Sequence, residues 1–211
     1  MRNLRKKFAS AKQLVESEYW AKSGSTSSKI TKNPFTLRNA LLKDFFRNGG
    51  INPTKFIPLL VKCDGFTASL GKKKKKYLIY LASTNPAKAA HEFTHVAMSR
   101  LRAEQKRAAG DYAEEVMAYS IELEAIAGED KMEYQRRLTE SLQPYLERFR
   151  TNPAMFSKDT MGRVLSVIIH KNFKTIAERA MIRERLAKQY FTDPLDVLNW
   201  VSSEVKISKR H

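Results

Sequence analysis

The chain has one cysteine, Cys63, among 211 residues, so no internal disulfide framework can staple it, and a reducing compartment is the default expectation. No run approaches the roughly 18 apolar residues that span a bilayer, and the basic amino terminus passes into a mixed stretch instead of a long apolar one. A cytoplasmic location without a membrane span or secretory signal is expected, with phage, plasmid or effector delivery left open. Acidic residues are the next shortage. Asp and Glu number 22 against 39 Lys and Arg, a formal charge of +17 with a pI near 10.0. Such an excess implies attraction to something acidic, such as nucleic acid, an anionic surface or an acidic protein. No zinc finger, RNA-recognition signature or helix-turn-helix converts that attraction into sequence readout, so any nucleic-acid contact is expected to be non-specific. A hydrophobic content of 42% suffices for one packed domain and rules out a disordered or fibrous chain.

What is present arranges itself as a short β-rich stretch between helices. Residues 3–22 carry Leu4, Phe8, Ala11, Val15 and Tyr19 at helical spacing, a basic amphipathic helix, and the polar tract 23–28 follows as a linker. Residues 1–28 therefore read as an appendage and 29–211 as one catalytic domain, with an active-site core at 52–128 and a helical part at 129–211. A helix is predicted over 36–47, stopped by Gly49 and Gly50. Segments 55–62, 66–69 and 77–82 are apolar or β-rich and separated by turn residues, which predicts a small sheet. Asn85 and Pro86 supply a cap and first-turn proline for a helix reaching about Leu101. Another helix spans 111–127 with Gly128 as its stop, and the remainder is helical, broken at Pro144, Pro153 and Pro194. The fold class expected is α+β, mostly helical, with a partly antiparallel sheet packed on the helix that follows it.

Histidine is scarce, only four residues, yet two of them stand in His91-Glu92-Phe93-Thr94-His95. Positions i and i+4 project about 40° apart from one helical face, so both imidazoles can bind one ion. Neutral imidazoles suit zinc, zinc lowers the pKa of water, and a carboxylate one residue along can take its proton. His91 and His95 are thus candidate Zn2+ ligands and Glu92 the candidate general base. Ala90, Phe93, Val96, Ala97 and Leu101 occupy the opposite, core-facing arc.

A catalytic zinc wants a third protein ligand. His170 and His211 are the remaining histidines, and no third histidine follows the pentad at short spacing, which favours a carboxylate from the next helix. There Glu115 and Glu122 share a stripe with Ala118, Tyr119 and Ile126, while Glu114 and Glu124 point elsewhere. With the pentad and the Tyr112-x-x-Glu115-x-x-Ala118 pattern, the chain resembles the gluzincins, zinc peptidases with a glutamate ligand on the following helix. Residues 89–127 resemble more loosely the zincin domains of antirestriction proteins and of the ImmA/IrrE peptidases. The resemblance covers about forty residues and implies Glu115, twenty residues after His95, as third ligand, with Glu122 its competitor. Helix-forming residues fill 99–109. A helix unbroken to Ala109 would carry the chain roughly 20 Å past His95 and leave Glu115 unable to return. The expectation is therefore a helix ending near Leu101 and a loop over part of 102–110.

Tyr112, Tyr119, Tyr80 and His170 are candidates for stabilising a transition-state oxyanion. His170, in an apolar helix, reads first as an interior histidine. The lysine run 72–76 leads into the strand 77–82, whose edge is expected to pair with an extended substrate and prefer acidic residues in it. The function expected is zinc-dependent hydrolysis of a protein or peptide substrate, an acidic one suiting the basic charge. Two alternatives stand beside it: a basic, nucleic-acid-associated or particle protein whose zinc site is structural or vestigial, and a regulatory zincin acting on one partner protein.

Overall fold

The computed structural model describes residues 8–18, 21, 27–49, 63–70, 76–139, 148–149 and 151–209. The expected strand over 55–62, lysines 72–75, Pro144 and His211 lie outside them. In chain order the described elements are α1 (Ala9–Ser17), β1 (Ser27–Thr31), α2 (Pro34–Asn48), β2 (Gly65–Leu70), β3 (Lys76–Leu81), α3 (Pro86–Glu104), α4 (Tyr112–Glu129), α5 (Lys131–Thr139), α6 (Lys158–Asn172), α7 (Ile176–Ala187) and α8 (Pro194–Ser208). The protein is α+β and mostly helical, as its periodicities predict. Among the described residues, no helix is long and apolar enough to cross a membrane.

The sheet has the order β1-β3-β2, with β1 parallel and β2 antiparallel to β3. Strand β3 takes the centre because its sequence, Tyr77-Leu78-Ile79-Tyr80-Leu81, is apolar at every position and so can be covered on both faces. Tyr77, Ile79 and Leu81 enter the main core, while Leu78 and Tyr80 pack with Leu37 and Ala68 in a smaller cluster beneath α2. The substrate edge expected of β3 is therefore not available: β1 and β2 occupy both its sides, and β2 is the strand that borders the helix carrying His91 and His95.

Helix α3 begins as its cap residues dictate, with Asn85 accepting the Ala87 N–H at 2.9 Å and Pro86 in the first turn. Ala89, Ala90, Phe93, Val96, Ala97 and Met98 bury its inner face. Helix α4 is buried on nearly all sides between α3 and α6 and runs through Gly128, the expected stop, to Glu129. A helix so enclosed needs side chains on its polar positions that find partners inside the protein.

The amino-terminal helix is no appendage. Phe8, Ala11 and Val15 belong to the main core, and Glu18 meets Arg183 of α7 at 2.6 Å. Ser27 and Ser28, expected to close a flexible linker, are strand residues paired with Lys76 and Tyr77.

Candidate metal centre

Helix α3 ends at Glu104, three residues later than expected, and its ending decides whether Glu115 can approach the histidines. Lys106 takes a left-handed conformation (φ 56°). Its N–H bonds the Ala103 carbonyl at 3.2 Å and the Arg107 N–H bonds the Arg102 carbonyl at 2.8 Å. These are the two reverse bonds of a Schellman ending, built on lysine where glycine is the usual choice, at a cost of about 1–2 kcal/mol. Tertiary contacts offset it. Arg102, wholly buried, sits 2.7 Å from Asp111, donates to the Ala187 carbonyl at 2.9 Å, and lies beside the Tyr190 ring. Asp111 in turn caps α4 by accepting the Glu114 N–H at 2.8 Å. The chain thus turns within residues 105–110 and α4 runs back along α3.

This reversal sets the pairing of side chains. His95, later on α3, meets the first turn of α4, and His91 meets its third. The two Nε2 atoms face each other at 3.1 Å, and Glu115 Oε2 lies 3.8 Å from His95 Nε2. Donor atoms of His91, His95 and Glu115 all fall within 4.8 Å of one another. Two nitrogens bound to zinc at 2.0–2.1 Å with tetrahedral angles stand about 3.3 Å apart, so the histidine pair has the separation the ion needs. The donor set, two imidazoles and one carboxylate, suits zinc as well.

The other ring nitrogens carry the support. His95 Nδ1 bonds Glu114 Oε1 at 2.9 Å, and the Gly110 N–H holds the second Glu114 oxygen at 2.6 Å. His91 Nδ1 is 3.1 Å from Glu122 Oε2, off the ideal direction of the ring N–H. Glu122 also meets Lys88 at 3.1 Å and Arg137 at 2.5 Å. Each histidine therefore turns Nε2 toward its partner and Nδ1 toward a carboxylate, the arrangement by which metal-binding imidazoles are oriented. Glu122, the competing ligand, lies behind His91, and Glu114, expected to point away, holds His95.

Burial and the neighbouring charges set the direction in which each of these groups is shifted. Burial, the largest influence on His95, disfavours its charged form, yet Glu115, Glu114 and Glu92 together raise its pKa to about 10. Burial likewise works against an ionised Glu122, but His91, Lys88 and Arg137 hold its carboxyl down to about 2. Burial opposes ionisation of Glu114 too, and His95, Gly110 and Arg102 keep it below the usual carboxylate range. The pocket carries more negative charge than its imidazoles balance, which favours any cation placed there.

Glu92 extends from the same helix toward β2. Thr67 donates to its Oε2 at 2.7 Å. A methyl on Gly65 would stand 2.5 Å from Glu92 Oε1, so the glycine leaves room for the carboxylate. Gly65, Phe66, Thr67 and Ser69 of β2 wall a cleft of about 420 Å³ that holds His91, Glu92, His95, Glu114 and Glu115.

A second cavity of about 580 Å³ adjoins it, and Asp159 lines both. Tyr119 stands at the boundary, its ring centroid 4.4 Å from that of His91, its hydroxyl donating to Asp159 and accepting from Arg163 at 3.1 Å. Burial and Asp159 push its pKa up, so it remains a neutral donor. The other oxyanion candidates lie elsewhere. Tyr80 faces α2, Tyr112 packs against the core beneath Lys158, and His170 lines neither cavity. The adjacency of Glu114 to Glu115 was the sequence signal for its role, but helical spacing alone assigns it to another face.

Nothing among known protein families, curated proteins or solved structures matches this chain.

Proposed function

We propose that the protein is a zinc-dependent peptidase that hydrolyses a protein or peptide substrate. The observation that carries this reading is the convergence of His91, His95 and Glu115 within 4.8 Å, in a cleft that also holds the carboxylate of Glu92. Zinc held by these three residues would supply a Lewis acid that activates water and polarises the scissile carbonyl. Glu92 is the group that accepts the proton of the attacking water and passes it to the departing amine. Thr67 and the open face of Gly65 fix the rotamer from which it does so.

The substrate's path follows from the sheet. Among the described residues, β2 pairs with β3 alone, and the reading places an extended peptide along its outer side, where main-chain hydrogen bonds would hold it in the cleft. The adjoining cavity is lined by Lys88, Arg136, Arg137 and Arg163 against Asp64, Glu122 and Asp159, a small positive excess that favours an acidic side chain in the substrate.

Wild type and Glu92→Gln, compared for zinc content and for cleavage of a proteome-derived peptide library, test the proposal. Zinc in both proteins with cleavage lost only in the variant is the expected result. Zinc in both and cleavage by neither would sink it and leave the binding role that the +17 charge suggests, to be examined through salt-dependent nucleic-acid retention.

A further inference from the structure

Gly162 sits in the second turn of α6 and is buried. Glycine in a helix interior costs about 1 kcal/mol relative to alanine, so its presence calls for a packing reason. The reason is distance. A Cβ on Gly162 would lie 2.8 Å from the carbonyl carbon of Glu115, 2.8 Å from its carbonyl oxygen and 2.9 Å from its Cβ. Favourable non-bonded contact begins near 3.5 Å. These are atoms of the α4 backbone or fixed to it, and cannot rotate away as a side-chain tip could. Helices α4 and α6 therefore make a very close approach at the residue offered as third metal ligand.

The opposite side of α4 is held as well. In its first turn Glu114 is tied to His95 and to the Gly110 N–H. A methyl at position 162 could be accommodated only by separating α6 from α4 or by driving α4 along or toward α3. Either movement shifts Glu115 relative to His91 and His95. Gly128, on α4 itself, offers a contrast, because a Cβ there meets nothing within 4 Å.

We propose that Gly162 is a positioning residue for the metal centre, absent from the ion's surroundings but setting where Glu115 stands. The proposal rests on the reading of His91, His95 and Glu115 as a zinc site. Zinc ligands must fall within about 0.2 Å of their proper distances, so a displacement of a few tenths of an ångström at the Glu115 backbone weakens binding. It would do so without removing any group that touches zinc.

The experiment is a zinc titration against a chromophoric chelator, with circular dichroism and thermal melts on the same samples. It uses wild type, Gly162→Ala, Glu115→Ala, the double variant and Gly128→Ala. Gly162→Ala is expected to bind zinc at least tenfold more weakly while keeping its helical spectrum. Glu115→Ala should also bind more weakly, and adding Gly162→Ala to it should change affinity less than twofold, because the ligand being displaced is already gone. Gly128→Ala should bind as wild type does.

Wild-type affinity in a folded Gly162→Ala protein overturns the proposal. So does an equal loss in both backgrounds, which would mean general damage to the protein. If Glu115→Ala alone binds zinc normally, there is no ligand for Gly162 to position and the proposal falls whether or not Gly162→Ala folds. A wild-type chain that binds no zinc sinks the metal reading and this inference together, whereas zinc bound equally by wild type and Gly162→Ala sinks only the inference.

Discussion

His95, partly buried, and His170, fully buried, are both helical histidines bordering α4, and their surroundings drive them in opposite directions. Around His95 burial is outweighed by Glu115, Glu114 and Glu92, and its pKa rises to about 10. Around His170 burial is again the largest influence; Glu124 opposes it, Arg179 and Arg183 reinforce it, and the pKa falls to about 3. His170 is consequently neutral, bonded to the Ser120 carbonyl at 3.0 Å and to the Tyr134 hydroxyl at 3.2 Å. The same helix serves both regions. Its Glu124 receives two Arg179 bonds at 2.7 Å and lies 3.2 Å from Arg183, which Glu18 also engages. That cluster is complete, because guanidinium groups answer its carboxylates. The cluster around His95 is not, because its carboxylates face imidazoles and still favour a cation. The contrast separates a structural polar core from a candidate metal site more cleanly than burial or residue type does.

Removing a charge should tell the two regions apart most sharply. Glu124→Ala leaves Arg179 buried without its carboxylate and is expected to cost about 3–5 kcal/mol of stability in chemical denaturation, with zinc affinity per folded molecule little changed. A loss below 1 kcal/mol would contradict the view of that cluster as a paired core. Glu114→Gln should do the reverse: the melting temperature moves little, while zinc affinity drops roughly tenfold to a hundredfold because His95 loses its orienting carboxylate. Equal zinc affinity would remove Glu114 from the site.

The two histidines also predict opposite pH limbs for the metal-free protein. His170 is depressed from 6.5, so the unfolded chain takes up its proton first, and stability present above pH 6.5 is lost as pH falls toward about 3. His95 is raised from 6.5, so its contribution is present below pH 6.5 and is lost as pH rises through about 10. Each limb slopes by at most about 1.4 kcal/mol per pH unit, the value for one proton. Thermal melts across pH should show His170→Gln flattening the acid limb and His95→Gln the alkaline one; a variant that leaves its limb unchanged refutes the corresponding assignment. The smallest effect concerns protons released. Zinc added at neutral pH should displace about one proton from His95, read by calorimetry in buffers of different ionisation enthalpy, and no buffer dependence would contradict that.

Much of the local structure was legible because it depends on near neighbours. Asn85 and Pro86 start α3 as their chemistry requires, and the four-residue spacing of His91 and His95 places both on one face. The apolar run of β3 marked a strand of a small sheet, but its burial between two neighbours, where a free edge was expected, depended on which partners reached it. Twenty residues of separation suggested Glu115, but a left-handed Lys106 could not be read from a stretch rich in helix formers. Nor could the role of Glu114, since helical periodicity ranks faces within one helix and is silent about where the next helix crosses.

The sequence by itself determined the donor types, their helical spacing and the caps that begin the helices, all interactions within a turn or two of chain. The tertiary structure decided which carboxylate approaches which imidazole. Buried Arg102 and Asp111 hold the turn at 105–110, α4 returns antiparallel to α3, and the bare backbone of Gly162 admits α6 against Glu115. These are contacts between residues far apart in the chain, and no local preference encodes them.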